Sequence, residues 1–262
     1  MNASPGLILP GVEWRDLTPL QPWERRRELL RPLPWLALSL CLAQLRWHPL
    51  ALAASFLFFL AGLRLVHDLF HHNLGLDRRA NGLVLAALSV LLLGSMHAVR
   101  LTHLHHHRHC LGEDDVEASS VRLSAWRAIV SGPAFPVRLH LAAWRLAPPP
   151  QRRWIATELG LTAAWLAVVF GILELPSLRY HVTAMAAGQC LTAFFAVWTV
   201  HHDCDHRPFA RTLRNRLKSA IAMDMFFHVE HHLFPRVPTC RLARLAERLD
   251  RVAPELSRQQ VY

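Results

Sequence analysis

The sequence predicts an all-α integral membrane protein: four transmembrane helices in two hairpins, one re-entrant or interfacial helix, and a cytosolic helical cap. Three observations carry this expectation. Hydrophobic residues make up 52% of the 262 positions and the mean hydropathy is +0.18, more apolar than soluble domains of this size. Leu, Ala and Val gather into long blocks, as membrane spans require. The formal charge of +10 is almost all arginine flanking those blocks, the placement described by the positive-inside rule. That distribution speaks against a nucleic-acid partner, which would need one basic patch. It favours contact with anionic lipid head groups.

The elements follow in order. Residues 1–32 are polar and proline-rich, a cytosolic N-terminal segment without a hydrophobic signal region. Arg25, Arg26, Arg27 and Arg31 precede the first apolar block and place that end in the cytosol. The block 33–45 is a short span, and Arg46-Trp47-His48-Pro49 makes a turn. The block 50–66 returns and ends in histidines. A third block, 83–99, leads into a second histidine cluster. The stretch 111–153 is mixed and proline-bearing, with the acidic run Glu113-Asp114-Asp115, and reads as amphipathic surface helices plus loop. The blocks 154–173 and 180–200 form a second hairpin around Pro176-Ser177. The remainder is basic and helical. The membrane domain is set at 33–250, with 251–262 as a tail. Five cysteines without a CxxC pair give no disulfide framework and no zinc knuckle.

Topology constrains the block 83–99. The two hairpins return 67–72 and 201–206 to the side of the N-terminus. If 83–99 crossed the bilayer, 103–109 would face the opposite side and could share no metal with 67–72. The block is therefore expected to be re-entrant or interfacial, with a bend near Gly94-Ser95.

Most of the 18 histidines fall in four clusters at or near the ends of apolar runs. They are His67-Asp-Leu-Phe-His71-His72, His103-Leu-His105-His106-His107-Arg-His109, His201-His202-Asp-Cys-Asp-His206, and His228-Val-Glu-His231-His232. Residues i, i+3 and i+4 share a helix face. His67 and His71 form such a pair, as do His202 and His206. His103, His106 and His107 form a triplet, and so do His228, His231 and His232. These exceed what one metal can use, and a dinuclear site with about four or five imidazoles per metal fits better. His105, His109 and His201 have weaker helical phase and stay outside the ligand set. His97, His140 and His181 stand alone and read as structural. Asp68, Asp203, Asp205 and Glu230 lie beside the clusters, either to receive imidazole N–H groups or to balance local arginines. Zinc also takes imidazole, so the paired sites and apolar setting are what favour iron.

The boxes His67–His72, His103–His107 and His228-Val-Glu-His231-His232-Leu233-Phe234-Pro235 resemble those of the membrane fatty acid desaturase family. That superfamily also holds lipid hydroxylases and carotenoid ketolases and hydroxylases. The family pattern is HxxxH or HxxxxH, then HxxHH twice, the last often followed by Leu-Phe-Pro. The third box is the most specific, and the resemblance runs from about residue 50 to about residue 250. It implies the metal ligands His67, His71 or His72, His103, His106, His107, His228, His231 and His232. Acyl-CoA members use one more histidine, five residues ahead of an Arg-Pro, and His202 stands so to Arg207-Pro208. Trp198 occupies the position where those members carry an asparagine.

The resemblance further implies two iron ions, molecular oxygen as co-substrate and an external electron donor. The sequence shows no haem, flavin or iron–sulfur motif, so a separate ferredoxin, cytochrome or reductase is the expected partner. Arg207, Arg211, Arg214, Arg216, Lys218, Arg236, Arg241 and Arg244 offer it a basic face, or else anchor the chain to the membrane surface. The expected function is desaturation of a fatty acyl chain. The alternatives are hydroxylation or ketolation of a lipid or carotenoid, and, from another class, a zinc-binding membrane protein or metal transporter. Transport is disfavoured by spans nearly free of ionisable groups.

Overall fold

The computed structural model describes residues 11–204, 209–258 and 260–261, and among them helices account for all regular structure apart from two isolated β-bridges. A capping box opens α1 (Pro22–Leu30): Gln21 and Glu24 satisfy each other's backbone N–H groups, with Pro22 at the first helical position. Arg31 and Pro32 keep helical dihedrals but break the ladder before α2 (Leu33–Gln44), because Pro32 and Pro34 donate no N–H. At about 1.5 Å per residue α2 is roughly 18 Å long, short of the ~30 Å hydrocarbon core. The first block is thus not among the helices long enough by themselves to cross.

Among the described residues three helices are long and apolar enough to cross a membrane: α3 (His48–Phe70), α8 (Pro149–Gly171) and α9 (Pro176–His201). A fourth crossing is possible by length and composition if the bent pair α4 (Arg78–Leu92) and α5 (Met96–His109) counts as one span. Within its apolar window α3 is 61% buried and α8 only 22%, so α3 is the central helix and α8 presents an outer apolar face. Phe58, Leu65, Leu69, Leu85, Leu92, Met96 and Met185 form the core that joins α3, α4, α5 and α9.

The bend between α4 and α5 is 106° and falls at Leu93-Gly94-Ser95, where Leu93 turns left-handed at φ 59°. This is the position expected from the sequence. A broken helix frees backbone groups that an apolar setting leaves costly, and here the N–H groups of residues 95–98 and the Leu91 and Leu92 carbonyls find side-chain partners. Ser95 caps α5 by accepting the Ala98 N–H at 3.1 Å. His140 Nε2 accepts the Ser95 N–H at 2.9 Å. Gln189 donates to Leu92 O at 2.6 Å and His181 to Leu91 O at 3.0 Å. Glu158 of α8, fully buried, takes the Ser95 hydroxyl at 2.5 Å, the His97 N–H at 3.1 Å and His97 Nδ1 at 2.6 Å. His97, His140 and His181 thus share one task, holding this elbow.

Beyond α5, α6 (Ala125–Val130) and α7 (Ala134–Leu146) wrap the bundle. After α9 come α10 (Arg216–Ile221), α11 (His228–Leu233) and α12 (Leu242–Val252). Leu242, Leu245, Ala246 and Leu249 bury one face of α12. Two polar ties fasten this cap to the bundle. Arg64 of α3, 1% exposed, donates to Glu28 at 2.9 Å, to Asp224 at 3.1 Å and to the Met223 carbonyl. Asp68 accepts the Thr239 N–H at 2.9 Å and its hydroxyl at 3.0 Å.

Candidate metal centre

Imidazoles from α3, α5, α9 and α11 meet in two adjoining groups. In the first, His71 Nε2 lies 3.0 Å from His103 Nε2, which lies 3.1 Å from His107 Nε2, which lies 2.8 Å from His231 Nε2. The His67 ring sits 4.0 Å from that of His231 and 4.9 Å from that of His103, centroid to centroid. In the second, four Nε2 atoms close a ring: His106 to His201 at 3.1 Å, His201 to His228 at 2.9 Å, His228 to His232 at 3.1 Å, and His232 to His106 at 3.3 Å. A square with edges near 3.1 Å has its centre about 2.2 Å from each corner, close to the ~2.0–2.1 Å of metal–imidazole bonds.

The HxxHH spacing explains the division. On α5, His103 and His107 point to the first group and His106 to the second. On α11, His231 serves the first, and His228 with His232 the second. Adjacent residues differ by about 100° around a helix, so one box faces two centres at once.

The rings are oriented from behind. His106 Nδ1 donates to Asp115 Oδ2 at 2.6 Å, and Asp115 is itself held by the N–H groups of Leu111, Glu117 and Ala118. His201 Nδ1 donates to Phe209 O at 2.8 Å. His103 Nδ1 faces Glu117 Oε2 at 3.4 Å, while Thr102 donates to Oε1 at 3.0 Å. Carboxylates and carbonyls only accept, so at His106 and His201 Nδ1 carries a proton, and in the neutral form Nε2 presents a lone pair. Facing lone pairs repel unless a cation lies between them. Burial, reinforced by neighbouring imidazoles, holds His71, His228, His231 and His232 well below the ordinary histidine range, leaving them neutral, the form that binds metal. The donor set therefore fits two transition-metal ions.

Two residues expected in the set stand elsewhere. His72 follows the end of α3 in a left-handed conformation, φ 57°, and its exposed ring meets Arg100 at 2.8 Å. His202 turns away as α9 ends. It stacks on Trp198 with centroids 4.1 Å apart and donates to Trp198 O at 2.9 Å. His201 takes the place at the ring. Its signal lay in the burial pattern, since Ala193, Val197, Val200 and His201 share the inward face of α9. The Arg-Pro spacing singles out His202, whereas the imidazole that lies beside His106 and His228 is that of His201. His206, Asp205, Arg207 and Pro208 lie outside the described residues.

The carboxylates beside the boxes hold other partners: Asp68 binds Thr239, Asp203 lies 3.8 Å from Arg211, and Glu230 pairs with Arg214 and Thr212. Asp115 and Glu117, which do meet imidazoles, belong to a stretch read from sequence as surface. Part of the expected basic face is also used internally. Arg214 binds Glu230 and Asp250, and Arg241 binds Glu24.

An apolar cavity borders the cluster. His67, His103 and His228 line it with Leu60, Phe70, Met96, Phe135, Leu139 and Phe195. Its polar lining groups Glu117, His140 and Gln189 are already bonded within the protein. On another side, a wide groove exposes His71 and His107 beside Arg25, Arg100, Arg108 and Arg236.

The sequence profile of the family described as Fatty acid desaturase matches residues 45–261. The chain has no match among curated proteins and none among solved structures. The matched family comprises oxidoreductases with metal-dependent chemistry on lipid, in keeping with the apolar helices and with imidazole groups able to hold metal. The match spans all four histidine clusters and most of the sequence, and the chain therefore belongs to the fatty acid desaturase family.

Proposed function

We propose that this protein carries out oxygen-dependent desaturation of a fatty acyl chain at a di-iron centre. His67, His71, His103, His107 and His231 would hold one ion, and His106, His201, His228 and His232 the other. The observation that carries the reading is the junction of these imidazoles with the apolar cavity: His67, His103 and His228 belong to both. When bound, the iron pair supplies oxidation of an unactivated C–H by O₂, with two electrons and two protons from outside, so that two hydrogens leave the chain and two waters form. The protein's own contribution is placement. The largely apolar cavity wall would hold an alkyl chain against the three imidazoles. Asp115, Glu117 and the Phe209 carbonyl set ring orientation.

Membrane placement follows from the same geometry. The C-terminal ends of α3 and α9 and the histidines of α5 meet in one centre, which favours all boxes on one face, with the elbow returning α5 to it. Arg46 and Arg179, almost the only basic residues of the opposite turns, make the box side cytoplasmic. The arginine-lined groove over His71 and His107 would receive an acidic electron-transfer protein such as a ferredoxin, cytochrome or reductase. Two ionisable groups within spans, Arg64 and Glu158, are engaged in packing, which counts against a transport path.

Lipid profiling of cells expressing the protein, beside a His231→Ala control, tests the reading. A new alkene made only by the unaltered chain is expected. Gain of oxygen in place of loss of two hydrogens would favour hydroxylation, and equal alkene from both chains would remove His231 from the mechanism.

A further inference from the structure

We propose that Cys110 Sγ is a ligand of the second metal position, so that this chain pairs an all-imidazole site with an imidazole–thiolate site. The proposal rests on the dinuclear reading above. Cys110 caps α5 one turn after His106, and i, i+4 spacing puts both side chains on one face. Its sulfur lies 4.0 Å from His106 Nε2. The ligand atoms of His106, Cys110, His201 and His232 all lie within 4.8 Å of one another. With metal–sulfur bonds of about 2.3 Å and metal–nitrogen bonds of about 2.0–2.1 Å, the 4.0 Å separation from His106 corresponds to a wide angle at an ion drawn off the ring centre towards Cys110, among His106, His201 and His232. The corresponding group at the first position, His67, His71, His103 and His231, contains no sulfur. Cys204 packs beside Cys110 against the same apolar cluster but belongs to no such group among the described residues.

Coordination forms a metal–sulfur bond and breaks the S–H bond. The proton goes to solvent and no electron is transferred. A thiolate is a softer and stronger donor than imidazole. It makes the two positions unequal, with the second favouring thiophilic ions and being the harder to reduce.

The test is Co²⁺ substitution of the purified full chain in detergent. Two Co²⁺ per chain and a near-ultraviolet sulfur-to-cobalt charge-transfer band are expected. Cys110→Ser should abolish the band, and Cys204→Ser should retain it. Two bound Co²⁺ without a band, or a band that survives Cys110→Ser, would overturn the thiolate while leaving the imidazole rings intact. Failure of the unaltered chain to bind Co²⁺ would instead remove the dinuclear reading, and the proposal with it. Should Cys110→Ser not fold, alkylation of the unaltered chain decides. Co²⁺ should shield Cys110 and leave Cys204 modified at its metal-free rate, and equal modification of Cys110 with and without Co²⁺ would refute the assignment.

Discussion

His106 and His107 are neighbours in the chain, yet each looks into a different group of imidazoles, and the same holds for His231 and His232. Single substitutions should therefore separate the two positions. His201→Ala removes a corner of the second ring, and metal analysis of the purified protein should fall towards one ion per chain with loss of product. His202→Ala removes only a stack on Trp198, and should keep both ions and most activity. Behind the rings, Asp115 fixes the proton of His106 on Nδ1. Asp115→Ala should weaken metal retention by about 10–100-fold, read as a lower chelator concentration for half-release. None of these contrasts follows from a count of histidines. The boxes were visible at once, but choosing His201 over His202 required knowing where α9 stops and which face it buries.

At the scale of elements, the elbow between α4 and α5 decides whether α5 reaches the cluster. The turn survives in apolar surroundings because Glu158, His140, Gln189 and His181 hydrogen-bond groups it exposes. Glu158→Ala leaves His97 and the Ser95 hydroxyl without their buried partner, a loss of about 3–5 kcal/mol by analogy with broken buried pairs. The expected outcome is a lower unfolding temperature in detergent together with reduced metal content, since His103, His106 and His107 all ride on α5. A second constraint is steric. A Cβ on Gly132 would stand 1.8 Å from the Cys190 carbonyl oxygen of α9, a backbone atom with no side-chain freedom to yield. Gly132→Ala should force the α6–α7 junction off α9, seen as loss of monodisperse protein on size exclusion. The sequence located the bend, through Gly94-Ser95 between an apolar and a polar run, but not the residues that make it tolerable. Those lie 45 to 97 positions away in the chain.

Across the whole molecule, Arg64 links α1, the central helix and the segment before α11 through Glu28 and Asp224. Burial on its own raises the Glu28 carboxyl, but Arg64 and Arg31 outweigh it and hold the group below its ordinary value near 4.5. A depressed carboxylate stabilises the fold fully above its unfolded value, and that contribution is lost as pH falls through the folded one. Unfolding temperature of the apo protein should thus drop below about pH 4.5, and Glu28→Gln should flatten this acid limb. Metal acts on the whole chain as well. Four helices contribute imidazoles to the centre, so removing the ions with a chelator should lower the unfolding temperature, and restoring them should recover it.

The amino-acid sequence by itself determined that the chain is helical, that its apolar blocks suit a membrane, and which three boxes mark its family. Each of these is local: hydropathy over a window and histidine spacing on a helix are complete within a few turns of chain. Tertiary structure alone decided that His201 joins the ring, that Asp115 and Glu117 meet His106 and His103, that Glu158 holds the elbow, and that Cys110 stands near His201 and His232. Those are proximities between segments remote in sequence. They are set by how buried faces pack and how buried polar groups find partners, which local periodicity does not encode.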